Sequence, residues 1–343
     1  MHPGRQATDS RDSNPQDTDA RAVSQETSDE NWRTPAKPKE RDGPQFRAVI
    51  IGIDAYPDYP LYGCVSDAEL MEKYLIEDLG VPSGHIQRLL GPTGEKTIDN
   101  SISPTRANII RTLYSLIDSP DIVNGDNIIV YFAGDGALYD AEEYYRNKVP
   151  PGVSVASIRP IKALCPMDRG SLDDTGSEIL DICDREIDAI FNQISEEKGH
   201  KLTLILDCAY SRPRIRYASP LGTRRSQRNK APLPPHTIEP MLEGAHQRLS
   251  VFPQYHARHS VVAYDWQPDM SSHVVLAACQ EYHYAREEED DEGVIHGVCT
   301  KLLVDALRSR HSRKSTYVGL MSRLPTMPFV IGDHKDEAIW YQE

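Results

Sequence analysis

Ile128-Ile-Val-Tyr-Phe-Ala-Gly-Asp-Gly136 and Leu202-Thr-Leu-Ile-Leu-Asp-Cys-Ala-Tyr-Ser211 decide the fold. Each is an apolar, β-branched run that stops at small or polar residues, as a parallel strand buried on both faces does at its C-terminal end. In open α/β sheets the chemistry gathers at those ends. The polar residues that close the two runs are therefore the first place to look for a site.

Outward from these strands, apolar runs and helical periods alternate. Phe46 to Asp54 reads as a first buried strand. Ser66-Asp-Ala-Glu69 reads as a capping box for a helix with Ala68, Met71, Leu75 and Leu79 on one face and Gly80 as its stop. Ile86 to Leu90 is a second strand. Ser103-Pro104 opens a helix in cap-then-proline order, with Ala107, Ile110, Tyr114 and Ile117 inward. A polar connection, Tyr139 to Gly176, precedes a helix capped by Asp184, striped by Ile187, Ile190, Phe191 and Ile194 and ended at Gly199. His273 to Ala278 is a fifth strand, and helices follow over Thr300 to Leu307 and Tyr317 to Leu324. This alternation predicts an α/β fold: a doubly wound, mostly parallel sheet with helices on both faces.

Two segments break the rhythm. Residues 1–44, rich in Asp, Arg, Ser, Gln and Pro, are expected to be a disordered polar arm, because too little apolar surface offsets the ordering entropy. The domain then spans 45–343, with a long loop insertion at 210–270 that has many prolines and no sustained period. That loop is basic between Arg212 and Lys230, whereas Glu287 to Glu292 is an unbroken acidic run.

Composition narrows the function classes. The 343 residues carry a formal net charge of −14, which disfavours a sequence-independent grip on nucleic acid. No apolar run is long enough to span a bilayer and the start lacks a signal-peptide core. The six cysteines are scattered without a C-x-x-C pair, as expected for reduced thiols in a cytoplasmic protein. Gly91-Pro-Thr-Gly-Glu-Lys-Thr97 fails the phosphate-loop spacing because Glu95 separates Gly94 from Lys96. There is no G-x-S-x-G elbow, and the twelve histidines show no metal-site spacing.

The strand ends Phe132-Ala-Gly-Asp-Gly136 and Asp207-Cys-Ala-Tyr-Ser211 resemble the two active-site strands of the caspase/metacaspase cysteine peptidases, in particular fungal caspase-domain proteins. Ile50-Ile-Gly-Ile-Asp-Ala-Tyr-Pro57, Leu61-Tyr-Gly-Cys-Val-Ser-Asp-Ala68, Cys165-Pro-Met-Asp168, Asp184-Arg-Glu-Ile187, His273 to Cys279 and Gly297-Val-Cys-Thr300 fall in that family's order, over roughly 46–330. The resemblance implies the caspase–haemoglobinase six-stranded sheet. It also implies a catalytic dyad that this chain lacks. Asp135 stands at the position of the base and Ala209 at that of the nucleophile. A methyl group cannot attack a carbonyl, and an exposed aspartate with a pKa of about 4 cannot shuttle protons as imidazole does near neutrality. Tyr210 and Arg212 likewise replace the family's neighbouring histidine and glycine.

By the same resemblance, Gly136 matches an oxyanion-hole residue, and Cys64, Asp67 and Asp207 match an acidic pocket for Arg or Lys. Asp67 also lies near a helix start, where the dipole favours a carboxylate. The expected function is a pseudopeptidase without catalytic turnover that binds basic peptide segments, or a related active metacaspase, with no nucleic acid or membrane partner. One alternative is an active Arg/Lys-directed endopeptidase using a displaced nucleophile. Cys208, expected to face away from the cleft, and Cys279, with His283 nearby, are its candidates. Another is a non-enzymatic scaffold. No cofactor is expected; calcium enters only through the family resemblance, as no compact calcium loop is visible.

Overall fold

The structure, a computed structural model, describes residues 43–57, 59–94, 98–211, 233–251, 260–277, 287–289, 293–309, 315–326 and 328–341. The chain divides into Met1–Glu40 and Arg41–Glu343. The expected polar arm lies outside the described residues apart from its last two positions.

The elements in chain order are β1 (Phe46–Ile53), α1 (Cys64–Glu77), β2 (Ile86–Gly91), α2 (Arg106–Asp118), β3 (Asn127–Tyr139), α3 (Glu142–Tyr145), β4 (Ile161–Leu164), β5 (Ile182–Cys183), α4 (Asp184–Lys198), β6 (Leu202–Ser211), α5 (Ile238–Leu249), β7 (Val274–Ala277), β8 (Glu287–Glu289), β9 (Ile295–Gly297), α6 (Val298–Arg308), α7 (Tyr317–Met321) and β10 (Phe329–Ile331). The main sheet runs in the order β10-β7-β6-β3-β1-β2, with β4 and β5 branching from β3. The pairs β2/β1, β1/β3, β3/β6 and β6/β7 are parallel; β10 closes one edge antiparallel. The fold is thus the expected mostly parallel α/β sheet with helices on both faces.

The hydrophobic pattern explains the layering. Every residue of β3 is buried, which only a strand covered on both faces can be. Close helix–sheet approach depends on Gly52 of β1, where a Cβ would lie 2.6 Å from the Cys64 carbonyl oxygen and 2.8 Å from Ala68 Cβ. The α4 stripe of Ile187, Ile190, Phe191 and Ile194 is buried as its spacing predicted, and Gly199, at φ +89°, ends the helix. Each such side chain contributes about 1.5–3 kcal/mol by leaving water.

Several local expectations need correction. The first turn of α1 is not held by a Ser66 capping box. Its cap comes from the end of β1, where Asp54 accepts from the Cys64 N–H (2.8 Å) and the Val65 N–H (3.3 Å). In α2 the cap is Thr105, which accepts from the Asn108 N–H at 3.2 Å. Its buried stripe is Ile109, Ile110, Leu113 and Leu116, with Ala107 exposed.

The 139–176 connection carries α3 and β4. The 210–270 span, expected to be one long loop, carries α5, whose Ile238, Met241, Leu242, Ala245 and Leu249 are buried. Residues 212–232 and 252–259 of that span, including the basic run, lie outside the described residues. The last helix, α7, is five residues long. Within the acidic run, Glu287–Glu289 pairs with Ile295–Gly297 as a small antiparallel sheet. No helix among the described residues is long and apolar enough to cross a membrane.

Candidate functional site at the strand ends

Because β1, β3 and β6 run parallel, their C-terminal ends fall at one edge, and each delivers an aspartate there: Asp54, Asp135 and Asp207. The strands run further than the sequence predicted. β3 continues through Gly134-Asp135-Gly136 to Tyr139 because β4 returns against it, and β6 continues to Ser211. Asp135 is the register partner of Ala209, and Gly136 lies opposite both Tyr210 and Leu164. Asp135 and Ala209 are therefore paired positions on neighbouring strands. Gly136 is flanked by a ladder on each side, so its backbone belongs to the sheet.

Asp135 is buried, contrary to the exposed position expected of it. Its N–H donates to the Tyr56 hydroxyl at 2.9 Å, which in turn donates to the Cys165 carbonyl at 2.9 Å. The Cys165 N–H returns a bond to the Asp135 carbonyl at 3.1 Å. Burial, and then the charge of Asp135, push the Tyr56 phenol far above its ordinary range, so it remains a neutral bridge. Gly134 makes room for it: a Cβ there would come 2.7 Å from the Tyr56 oxygen and 2.9 Å from the Phe132 ring. From the sequence Tyr56 is only a member of the Ile50–Pro57 stretch and has no role, although a tyrosine just after a buried strand is a usable signal.

Of the three candidate pocket residues, Asp67 and Asp207 meet at the start of α6 and Cys64 begins α1, and none is open to solvent. Cys64 and Asp67 are 0% exposed and Asp207 is 2% exposed. Both Asp67 oxygens accept from the Gly297 N–H, at 2.8 and 2.9 Å. Asp207 Oδ2 accepts from the Thr300 N–H at 3.2 Å and from its hydroxyl at 2.5 Å. Tyr131 extends the chain, its hydroxyl 2.6 Å from Thr300 Oγ1. Burial, and then Asp207, raise the Tyr131 pKa far above normal.

The N-cap of α6, Gly297, has no side chain with which to cap. Asp67 and Asp207 supply that function from α1 and β6, satisfying amides a helix otherwise leaves unpaired. One basic side chain is already present, with His296 Nδ1 3.5 Å from Asp67 Oδ1. Oxygens engaged by N–H and O–H donors are not a cage for calcium, which needs six or more free oxygen ligands. This site does not fit that ion.

Side-chain parity along β6 separates the two faces of the sheet. Thr203 and Asp207 reach Tyr317 and Thr300 on the α6–α7 side. Leu204, Leu206 and Tyr210 line a cavity of about 110 Å³ on the opposite side. Cys208 shares the parity of the second set and is 3% exposed, so it faces away from Asp207, as expected. Cys64, Cys165, Cys183 and Cys299 are also buried free thiols, and burial raises that of Cys183 to about 12. Cys279 and His283 lie outside the described residues.

Asp184, Asp188 and His273 also line the rear cavity. Burial pushes Asp184 up to about 6, Asp188 up to about 8 and His273 down to about 4. Neighbouring charges are fully clasped. Glu186 takes Arg106 and Arg248 at 2.6 and 2.7 Å, and Asp181 takes both arms of Arg169.

A mostly parallel sheet with helices on both faces is the architecture of a caspase-like domain. Residues 46–216 match the family model "Metacaspase, peptidase C14 domain", and the chain belongs to the caspase/metacaspase family. It is 38% identical to Metacaspase-4 of Arabidopsis thaliana over 98 residues, 28% of this chain and 22% of that protein. It is 29% identical to Metacaspase-8 of the same plant over 172 residues, covering 48% and 36%. The chain thus spans well under half the length of these curated relatives. A solved structure of a protein from Geobacter sulfurreducens superposes with a TM-score of 0.48 at 13% identity, covering 87% of this chain and 99% of that one.

Proposed function

We propose that this chain is a metacaspase-family domain that does not cleave peptide bonds. The observation that carries the reading is the register pairing of Asp135 with Ala209. It sets an aspartate and an alanine at paired positions of neighbouring strands, where the family resemblance calls for a histidine and a cysteine. Cys208, next to position 209, belongs to the other face of the sheet, and Cys64 is enclosed at the start of α1. A buried thiol without a cationic neighbour holds little thiolate.

What remains is a rigid domain whose retained acids anchor a helix. A second reading, binding of Arg- or Lys-containing segments or of a related active metacaspase, is favoured by one observation: a basic side chain, His296, already approaches Asp67. In that reading an incoming cation competes with the Gly297 and Thr300 amides, so binding requires the segment around Gly297 to move.

The test is incubation with fluorogenic Arg substrates, with and without calcium. We expect no turnover from the native chain and measurable Arg-directed cleavage from Asp135→His with Ala209→Cys. Turnover by the native chain that Cys208→Ser or Cys279→Ser abolishes would overturn the proposal. Titration with Arg peptides decides the second reading, which fails if no binding occurs or if Asp67→Asn leaves binding unchanged.

A further inference from the structure

Away from the strand ends, His200, His334 and Glu337 bring three side-chain ligand atoms within 4.8 Å of one another, the group of this kind among the described residues. They come from two segments far apart in the chain. His200 stands between the stop of α4 and the first residue of β6. His334 and Glu337 lie in the turn after β10.

Both segments are fixed by their backbones. The Gly199 N–H donates to the Ser195 carbonyl at 2.8 Å and the Leu202 N–H to the His200 carbonyl at 2.7 Å. In the C-terminal turn the Glu337 N–H donates to the His334 carbonyl at 3.1 Å. The side chains also touch already. The two imidazoles stack with centroids 4.2 Å apart and planes 18° from parallel, and His334 Nδ1 lies 2.6 Å from Glu337 Oε1.

We propose that this triad binds a divalent transition metal of the zinc class. Two imidazoles and one carboxylate are the donor set that such ions favour, whereas calcium and magnesium require oxygen donors. The ion takes the place of the proton shared by His334 Nδ1 and Glu337 Oε1. With metal–ligand bonds of about 2.0–2.2 Å in tetrahedral geometry the two atoms part from 2.6 Å to about 3.4 Å. His200 tilts out of the stack to direct its ring nitrogen at the same point, which exposed side chains do at small cost. Three protein ligands leave a fourth position for water. His200 and Glu337 are exposed, so entry is open. Binding ties the foot of β6, the strand that carries Ala209, to the C-terminal turn, closing a long loop of chain.

The experiment is thermal unfolding of the full chain with Zn2+, and with Mg2+ and Ca2+ as controls. At about tenfold excess over Kd, Zn2+ is expected to raise the midpoint by about 2–4 °C, and the controls to leave it unchanged. His200→Ala and His334→Ala, both at a solvent-accessible cluster, should fold normally and bind Zn2+ at least tenfold more weakly. Because the chain also holds cysteines, Co2+ absorption gives a separate readout: d–d bands without thiolate charge transfer are expected. Absence of a Zn2+ shift, an equal shift in wild type and His200→Ala, or a thiolate band would each overturn the proposal.

Discussion

Two pairs of aspartates lie on opposite sides of one strand, and they are met by different partners. On the α6 side, Asp67 and Asp207 are each met by backbone N–H groups, and Asp207 by a hydroxyl as well. On the cavity side, Asp188 accepts from the Asp269 N–H at 3.1 Å and from Asn192 Nδ2 at 3.4 Å, yet loss of water raises both Asp184 and Asp188 above the usual carboxylate range. Depth does not separate them, since Asp207 is 2% and Asp188 6% exposed. What differs is where the donors come from: those at Asp67 and Asp207 belong to the start of α6, whereas those at Asp188 come from Asp269 and from Asn192 of its own helix. Asp67 and Asp207 hold the start of a helix from elsewhere in the chain, whereas Asp188, set in the cavity wall, keeps its proton up to about pH 8.

The largest effect should come from removing a front acid. Asp207→Ala removes the acceptor of the Thr300 N–H and hydroxyl and leaves the start of α6 held by Asp67 alone. The cost expected is about 2–5 kcal/mol, from two unsatisfied buried donors and a lost cap. Denaturant unfolding measures it. If the variant is as stable as wild type, the claim that this acid anchors α6 is wrong.

A smaller effect of opposite sign is expected at the rear. The folded-state pKa of Asp188 is raised to about 8, against about 3.9 for the unfolded chain. Between those values the native state holds a proton that the unfolded state has released. Stability therefore falls as pH rises from about 4 to about 8 and levels off above. Asp188→Asn keeps an oxygen for the Asp269 N–H, which donates to Asp188 at 3.1 Å. It should flatten that slope and stabilise the protein by about 2–4 kcal/mol at pH 8. Unfolding midpoints across this pH range check it. An unchanged slope would mean that the two faces do not differ in the way described.

What the sequence made legible follows from how local each cause is. The strands of β1, β3 and β6 and the α4 stripe were readable because continuous apolar runs and a 3.6-residue period lie within one segment. The helix caps were not. Asp54 reaches Cys64 across ten positions and Asp207 reaches Thr300 across ninety-three, and no local pattern announces a partner brought there by the sheet. Helix α5 is the converse case. Its apolar residues do recur at helical spacing, but the prolines before it and the one inside it, Pro240, hid the period. At the site, the paired positions 135 and 209 could be named from the resemblance. That Asp67 and Asp207 would be occupied by the chain's own helix start required the fold.

The smallest expected effect isolates ordinary capping from anchoring. Asp54 is also a strand-end carboxylate that holds a helix start, but both its bonds go to successive amides of α1 only ten or so residues away. Neither bond involves a buried hydroxyl chain like that of Tyr131, Thr300 and Asp207. Asp54→Ala should therefore cost about 1 kcal/mol, the usual worth of an N-cap, and chemical denaturation of the two single variants gives the ratio. An Asp54→Ala cost equal to that of Asp207→Ala would show that Asp207 is a plain cap. The hydroxyl relay behind it would then add nothing, and the contrast between the faces would reduce to capped against uncapped carboxylates.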